Sequence, residues 1–206
     1  YQISKIYLIK MQIKLVTKVL GILLMIFSIS MLPPIIVSII FNDNEVWSFL
    51  YALFFILLAG SLMWFPTMQV NENMKLRDGF IVVVLFWIVL SLCGALPLIL
   101  SENVFMSYTD AFFESVSGLT TTGATIFSDL TNVPESILFY RQYLQWLGGL
   151  GIIVLAIAIL PTLGIGGMQL YKAEVAGPLK NKLTPRITET AKALWFIYFL
   201  LTLTCM

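Results

Sequence analysis

The 206-residue sequence contains no histidine, two cysteines and only 11% charged residues. Without histidine, the side chain that most often acts as a general base near neutral pH and most often ligates transition metals is missing. A hydrolase reading built on Ser115 and Ser117 beside Gly118 therefore finds no base within the sequence, and no enzyme is expected. The net charge of +1 gives no electrostatic footprint for nucleic acid. Cys93 and Cys205 both lie inside apolar runs and read as small buried hydrophobes, not as a disulfide or a metal pair. Gly164, Gly166 and Gly167 follow no strand and precede no Gly-Lys-Ser/Thr, so they make no phosphate loop, and no organic cofactor is expected.

What is present is apolar. A 59% hydrophobic content and a mean hydropathy of +0.94 exceed what a soluble domain of this length carries, and predict an all-α membrane protein surrounded by lipid. Long apolar runs cover 15–41, 46–68, 79–100 and 135–160, and a fifth starts at Thr184-Pro185. The first holds Lys18 as its single charge and a kink or break is expected at Pro33-Pro34. The chain opens on Tyr1 and stops at Met206 inside an apolar run, so a piece of a longer polypeptide is expected, with Met11 a candidate natural start. With 108–125 dipping into the membrane and returning, eleven of the twelve lysines and arginines fall on one face and only Arg141 on the other. The lysine-rich face is read as cytoplasmic, the N-terminus with it. Asp43, Glu45, Glu102, Asp110, Asp129 and Glu135 fall on the outer face, where an acidic vestibule would concentrate cations.

The stretch 108–125, YTDAFFESVSGLTTTGAT, is polar and lies between two spanning runs. Such a segment is tolerated at membrane depth only against protein or water, so it reads as a re-entrant pore loop. Thr109 is the expected N-cap, with Asp110 in the first turn; Ala111, Phe112, Ser115 and Gly118 fall at helical spacing, and Gly118 is expected to end the helix. From Thr120 to Thr125 an extended strand is expected, whose carbonyls replace the water around a cation. Gly123 would permit backbone angles that keep those carbonyls on one axis. The competing reading is an ordinary polar outer loop. Glu114, a carboxylate at membrane depth, is either functional or a structural acceptor for the loop backbone, with Arg141 its partner or a neutraliser of the vestibule. Arg141, Gln142 and Gln145 would line the pore or pack against neighbouring repeats. Gly148, Gly149 and Gly151 read as packing devices.

The strings SVSGLTTTGAT, RQYLQWLGGLGIIVLAIAILP, GIGGMQLYKAE and GPLKNKLTPRITETAKALW closely resemble the TrkH branch of the Trk/Ktr/HKT potassium transporters, over nearly all of 11–206. The resemblance implies potassium uptake through four helix, pore-loop, helix repeats around a pseudo-fourfold axis, preceded by an extra helix pair. It also implies a homodimer in the cell inner membrane and a cytosolic TrkA-type nucleotide-binding subunit, for which 164–186 is one candidate surface. The corresponding division is a cytoplasmic 1–14, an extra pair 15–72, a first repeat 73–166, and a linker with the start of a second repeat, 167–206. Within the repeat fall a helix 79–100, pore helix 109–118, filter 120–125 and helix 135–160. Alignment with the potassium-channel filter places the carbonyls of Thr121, Thr122, Gly123 and Ala124 as potassium ligands, Thr121 and Thr122 foremost. Thr120, Thr125, Glu114 and Arg141 would support them. Ala124 and Thr125 depart from the channel pattern, which leaves a sodium-permeable relative as an alternative; a Ktr-type subunit, which lacks the extra pair, and a non-conducting bundle are the others.

Overall fold

Every regular element among the described residues is helical, in a computed structural model that describes residues 12–70, 76–159 and 184–205. Lys5, Lys10, Lys75, Lys172, Lys180, Lys182 and the glycines at 164, 166 and 167 lie outside the described residues. Helix α1 (Ile13–Ile29) is separated from α2 (Leu32–Phe41) at Ser30 and Met31. The break precedes the prolines because Pro33 and Pro34 lack an N–H and occupy a first helical turn, where none is required. Helix α3 (Val46–Trp64) tightens into a 3-10 turn at Phe65–Thr67. Helix α4 (Leu76–Gly94) stops before Pro97 and resumes as the short α5 (Leu96–Leu100). Then come α6 (Tyr108–Leu119), α7 (Glu135–Ile159) and α8 (Thr184–Cys205). Ile13–Phe41, Val46–Thr67 and Asp78–Leu100 are each long and apolar enough to cross a membrane. The chain is a multi-pass helical membrane protein.

Two units divide at residue 145, inside α7. In the first, 1–145, α1 and α3 cross where Gly21 meets Gly60: a Cβ added to Gly21 would lie 2.8 Å from the Gly60 carbonyl oxygen, and the reverse distance is 2.9 Å. In lipid no hydrophobic force draws helices together, so backbone-close packing at small residues holds this pair. Val16 and Leu20 of α1 pack on Val82 of α4, flanked by Leu23, Met63 and Phe86. Lys18 reaches the end of α3, donating to the carbonyls of Met68 at 3.0 Å and Val70 at 2.7 Å. The charge buried deepest in the first span thus pairs with carbonyls just past the negative end of a helix dipole. In the second unit, 146–206, the Tyr198 hydroxyl donates to the Trp146 carbonyl at 3.2 Å, and Trp146 Nε1 donates to Thr202 Oγ1 at 3.1 Å. Gly149 admits that tyrosine: an added Cβ would stand 2.6 Å from its hydroxyl.

Candidate functional site

Helix α6 is capped by Ser107, not by Thr109. The Ser107 hydroxyl accepts from the Asp110 amide at 3.2 Å, and donates to Asp110 Oδ2 at 2.7 Å. Serine followed three residues on by an acid is a capping pair, and it outcompetes the threonine two residues inside it. Nor does Gly118 end the helix, which continues to Leu119. Gly118 instead lets α6 lie against α7: an added Cβ would stand 2.9 Å from Leu144 Cβ.

The helix ends on a left-handed turn. The Thr121 amide donates to the Gly118 carbonyl at 2.9 Å, the Thr122 amide to the Ser117 carbonyl at 3.0 Å, and Thr121 has φ +57°. This is the Schellman arrangement, with threonine where glycine is usual. A β-branched residue with positive φ is an outlier that its surroundings must hold in place. The expected extended strand is accordingly absent from 120–125, since Thr121 and Gly123 (φ +74°) both turn left-handed. The Thr120 amide donates to Val116 at 2.8 Å and the Gly123 amide to Ser117 at 3.4 Å. Four consecutive amides thus point back into α6. Among the described residues, the carbonyls of Thr120, Thr121, Thr122 and Gly123 accept no hydrogen bond, and all four residues are exposed. The Ala124 carbonyl differs from these four, because the Ser117 hydroxyl donates to it at 2.6 Å.

Glu114 fastens the far end of the loop. Its Oε1 accepts from Thr125 Oγ1 at 2.6 Å and from the Ile126 amide at 2.7 Å, and its Oε2 accepts from Arg141 Nε at 2.8 Å. The guanidinium of Arg141 also lies 4.9 Å from the centroid of the Phe127 ring. Thr120 bonds back to the Val116 carbonyl at 2.8 Å, and its hydroxyl stands 2.8 Å from that of Thr122. Of the polar residues of α7, Arg141 is buried and Gln145 Nε2 would be the nearest atom, at 3.9 Å, to a Cβ on Gly123. Gln142, one residue round the helix, is exposed.

Both ends of this segment meet the turn between α2 and α3. Asp43 Oδ2 accepts from the Ser136 amide at 2.9 Å at the start of α7, and its Oδ1 accepts from Ser38 Oγ and from the Glu45 amide at 3.2 Å. Burial pushes the Asp43 carboxyl up, but these donors outweigh it and hold it below the usual carboxylate range. Glu45 is fully buried, and accepts from Ser101 Oγ at 2.6 Å, Ser48 Oγ at 2.7 Å and Asn103 Nδ2 at 2.8 Å. Residues 101–103 and 135–136 therefore sit at one end of the unit. Between them α6 descends. Gly94 and Ser115 nearly touch, with 2.4 Å from an added Gly94 Cβ to Ser115 Oγ, and Gly118 reaches Leu144, which lies about 13 Å along α7 from its start at ~1.5 Å per residue. That is close to half of a hydrocarbon core of about 30 Å. Ser107, Ser117 and Asn103 are not legible as site residues, and Asp43 and Glu45 are legible only as vestibule charges: partners lie up to 93 positions away, and only the Ser107–Asp110 spacing is a local signal.

Among the described residues, no group of three or more His, Cys, Asp or Glu side chains could hold a metal. A cation at this loop would meet carbonyl and hydroxyl oxygens, the hard ligands of alkali ions. The fold and loop together define a membrane protein of the cation-transport class, with a short helix and its loop between α5 and α7.

The chain belongs to the TrkH family of cation transport proteins, which its residues 47–206 match. It is 55% identical to the Trk system potassium uptake protein TrkH of Halomonas elongata over 196 residues, 95% of this chain and 41% of the relative. It is 42% identical over 195 residues to the Trk system potassium uptake protein TrkG of Escherichia coli K12, 94% of this chain and 40% of that one. The crystal structure of the potassium transporter TrkH from Vibrio parahaemolyticus superposes with a TM-score of 0.80 at 48% identity, over 94% of this chain and 38% of that one. The chain thus spans about two fifths, 41%, of the length of the curated relatives it matches.

Proposed function

We propose that the chain contributes one of four pore loops to a potassium uptake protein, and that the carbonyls of Thr121, Thr122 and Gly123 face the ion. The observation that carries this reading is the opposite fate of the two backbone groups: the amides of Thr120 to Gly123 are consumed by α6 while their carbonyls are left free. Ala124 closes the ligand set with a carbonyl already anchored at one lone pair. Thr120, Thr125, Glu114 and Arg141 support the loop. The names of the relatives supply the ion, potassium. The division into an extra helix pair, 15–72, a first repeat, 73–166, and the start of a second, 167–206, follows the family resemblance, as do the inner-membrane location, the cytoplasmic N-terminus, the homodimer and a TrkA-type partner. Lipid covers the outward faces of α1 to α3, where Ile26, Ile39, Phe54 and Leu62 are exposed.

The test is rubidium and sodium uptake by liposomes carrying the protein at its natural length. Wild type should take up rubidium in preference to sodium, with potassium competing. Gly123→Ser should collapse that preference, and Thr125→Ser should preserve it. A Cβ at Gly123 meets open space, with its nearest neighbour at 3.9 Å, so the cost is the φ of +74° and not crowding. A left-handed residue with a Cβ costs roughly 1–2 kcal/mol, enough to let the loop leave this conformation. Wild-type-like ion ratios in Gly123→Ser, with intact protein in the membrane, would remove the carbonyl filter from this loop.

A further inference from the structure

Several hydroxyls inside the described helices share one habit. Ser28 bonds to Met25, Ser61 to Leu57, Ser91 to Trp87 and Thr202 to Tyr198, each closing on a carbonyl three or four residues back in its own helix at 2.7–2.9 Å. That habit is the ordinary way for a hydroxyl to be satisfied in an apolar setting. Ser117 breaks it. Buried in the last turn of α6, its hydroxyl turns forward seven residues to the Ala124 carbonyl at 2.6 Å. Its own carbonyl meanwhile accepts from the amides of Thr122, at 3.0 Å, and Gly123, at 3.4 Å.

From these three bonds we infer that Ser117 is a positioning residue that sets the ion preference of the loop, a role that rests on the filter reading above. Its carbonyl orients the middle of the loop through the amides, and its hydroxyl draws the Ala124 carbonyl toward α6. Together they fix the spacing of the oxygens between them. Glu114 cannot substitute, because its bonds fall beyond that segment, on Thr125 and Ile126. Ser117 itself touches no ion and acts only through the backbone.

The hydroxyl can be removed without disturbing the carbonyl. In liposomes carrying the natural-length protein, Ser117→Ala should lower the rubidium-to-sodium uptake ratio by about fivefold, the factor that one ordinary hydrogen bond carries, while total cation uptake persists. Ser117→Cys, of similar volume but a weaker donor, should fall between wild type and alanine, and Ser117→Thr should restore the ratio wherever its extra methyl is accommodated. A purely structural serine would lower the amount of folded protein and leave the ratio unchanged. An unchanged ratio in both Ser117→Ala and Ser117→Cys, beside a selective wild type, overturns the role of Ser117 and leaves the filter reading standing. A wild type that carries no rubidium overturns both.

Discussion

Glu114 and Arg141 meet at 2.8 Å with side chains only 1% and 9% exposed, so each charge depends on the other. Breaking a buried pair by removing one member costs about 3–5 kcal/mol, because the survivor is stranded without its counter-charge. Glu114→Gln should therefore destabilise the protein on that scale, and should also loosen Thr125 and Ile126, which lose a charged acceptor. Removing both charges, with Glu114→Gln and Arg141→Gln together, should cost less than the sum of the single changes. Thermal unfolding of the four proteins in detergent gives the coupling; strict additivity would mean the pair is not energetically joined. A carboxylate in a membrane segment demands donors, and that requirement alone made the loop backbone and Arg141 its candidate partners from the sequence. Ser117 gave no such warning, since a neutral hydroxyl has a default partner in its own helix and its forward bond depends on where the loop turns back.

The elements were legible where composition governs them and less so where two local signals compete. Long apolar runs, the first with its Pro33-Pro34 pair, announce the spans. The start of α6 was shifted because Ser107 and Thr109 are both good caps, and its end was shifted because Gly118 serves contact with Leu144 and not termination. The loop was misjudged as extended because nothing in a threonine-rich string signals a left-handed Thr121. The start of α7 depends on Asp43, which accepts from the Ser136 amide and complements the positive end of the helix dipole. Its carboxyl is held below the ordinary value of 3.8, so the folded state favours the ionised form. The resulting stabilisation is complete above that value and is lost as pH falls through the lower folded value. Stability should thus be insensitive to Asp43 between about pH 5 and 8, and fall on acidification below the usual carboxylate range. Asp43→Asn should weaken the protein at neutral pH and flatten that acid limb. An acid limb identical in wild type and Asp43→Asn would show that Asp43 is not the group lost.

At the scale of the whole molecule, the decisive question is whether the chain between α5 and α7 crosses the membrane or returns. In the 1–145 unit Asn103 is tied to Glu45 and Ser136 to Asp43, on one short turn, an arrangement that supports a return. A segment that starts and finishes on the same turn is expected to return and not to cross. Its deepest packing, Gly118 on Leu144, lies about 13 Å from the start of α7 at ~1.5 Å per residue, which suits a dip and not a span. The excess of lysine and arginine on one face leads the sequence to the same expectation by a separate route. In a variant lacking Cys93 and Cys205, single cysteines at Glu102 and Asn132 should both react with an impermeant thiol reagent added from outside, and one at Lys14 should not. Glu102 is chosen because it is exposed, whereas its neighbour Asn103 is bonded to Glu45 and its replacement would disturb the clamp. All three positions are exposed, so accessibility depends on the side of the membrane and not on burial. Labelling of Glu102 and Asn132 from opposite sides would mean that the intervening segment spans the bilayer, and the loop would then lie at the wrong depth to meet an ion inside it.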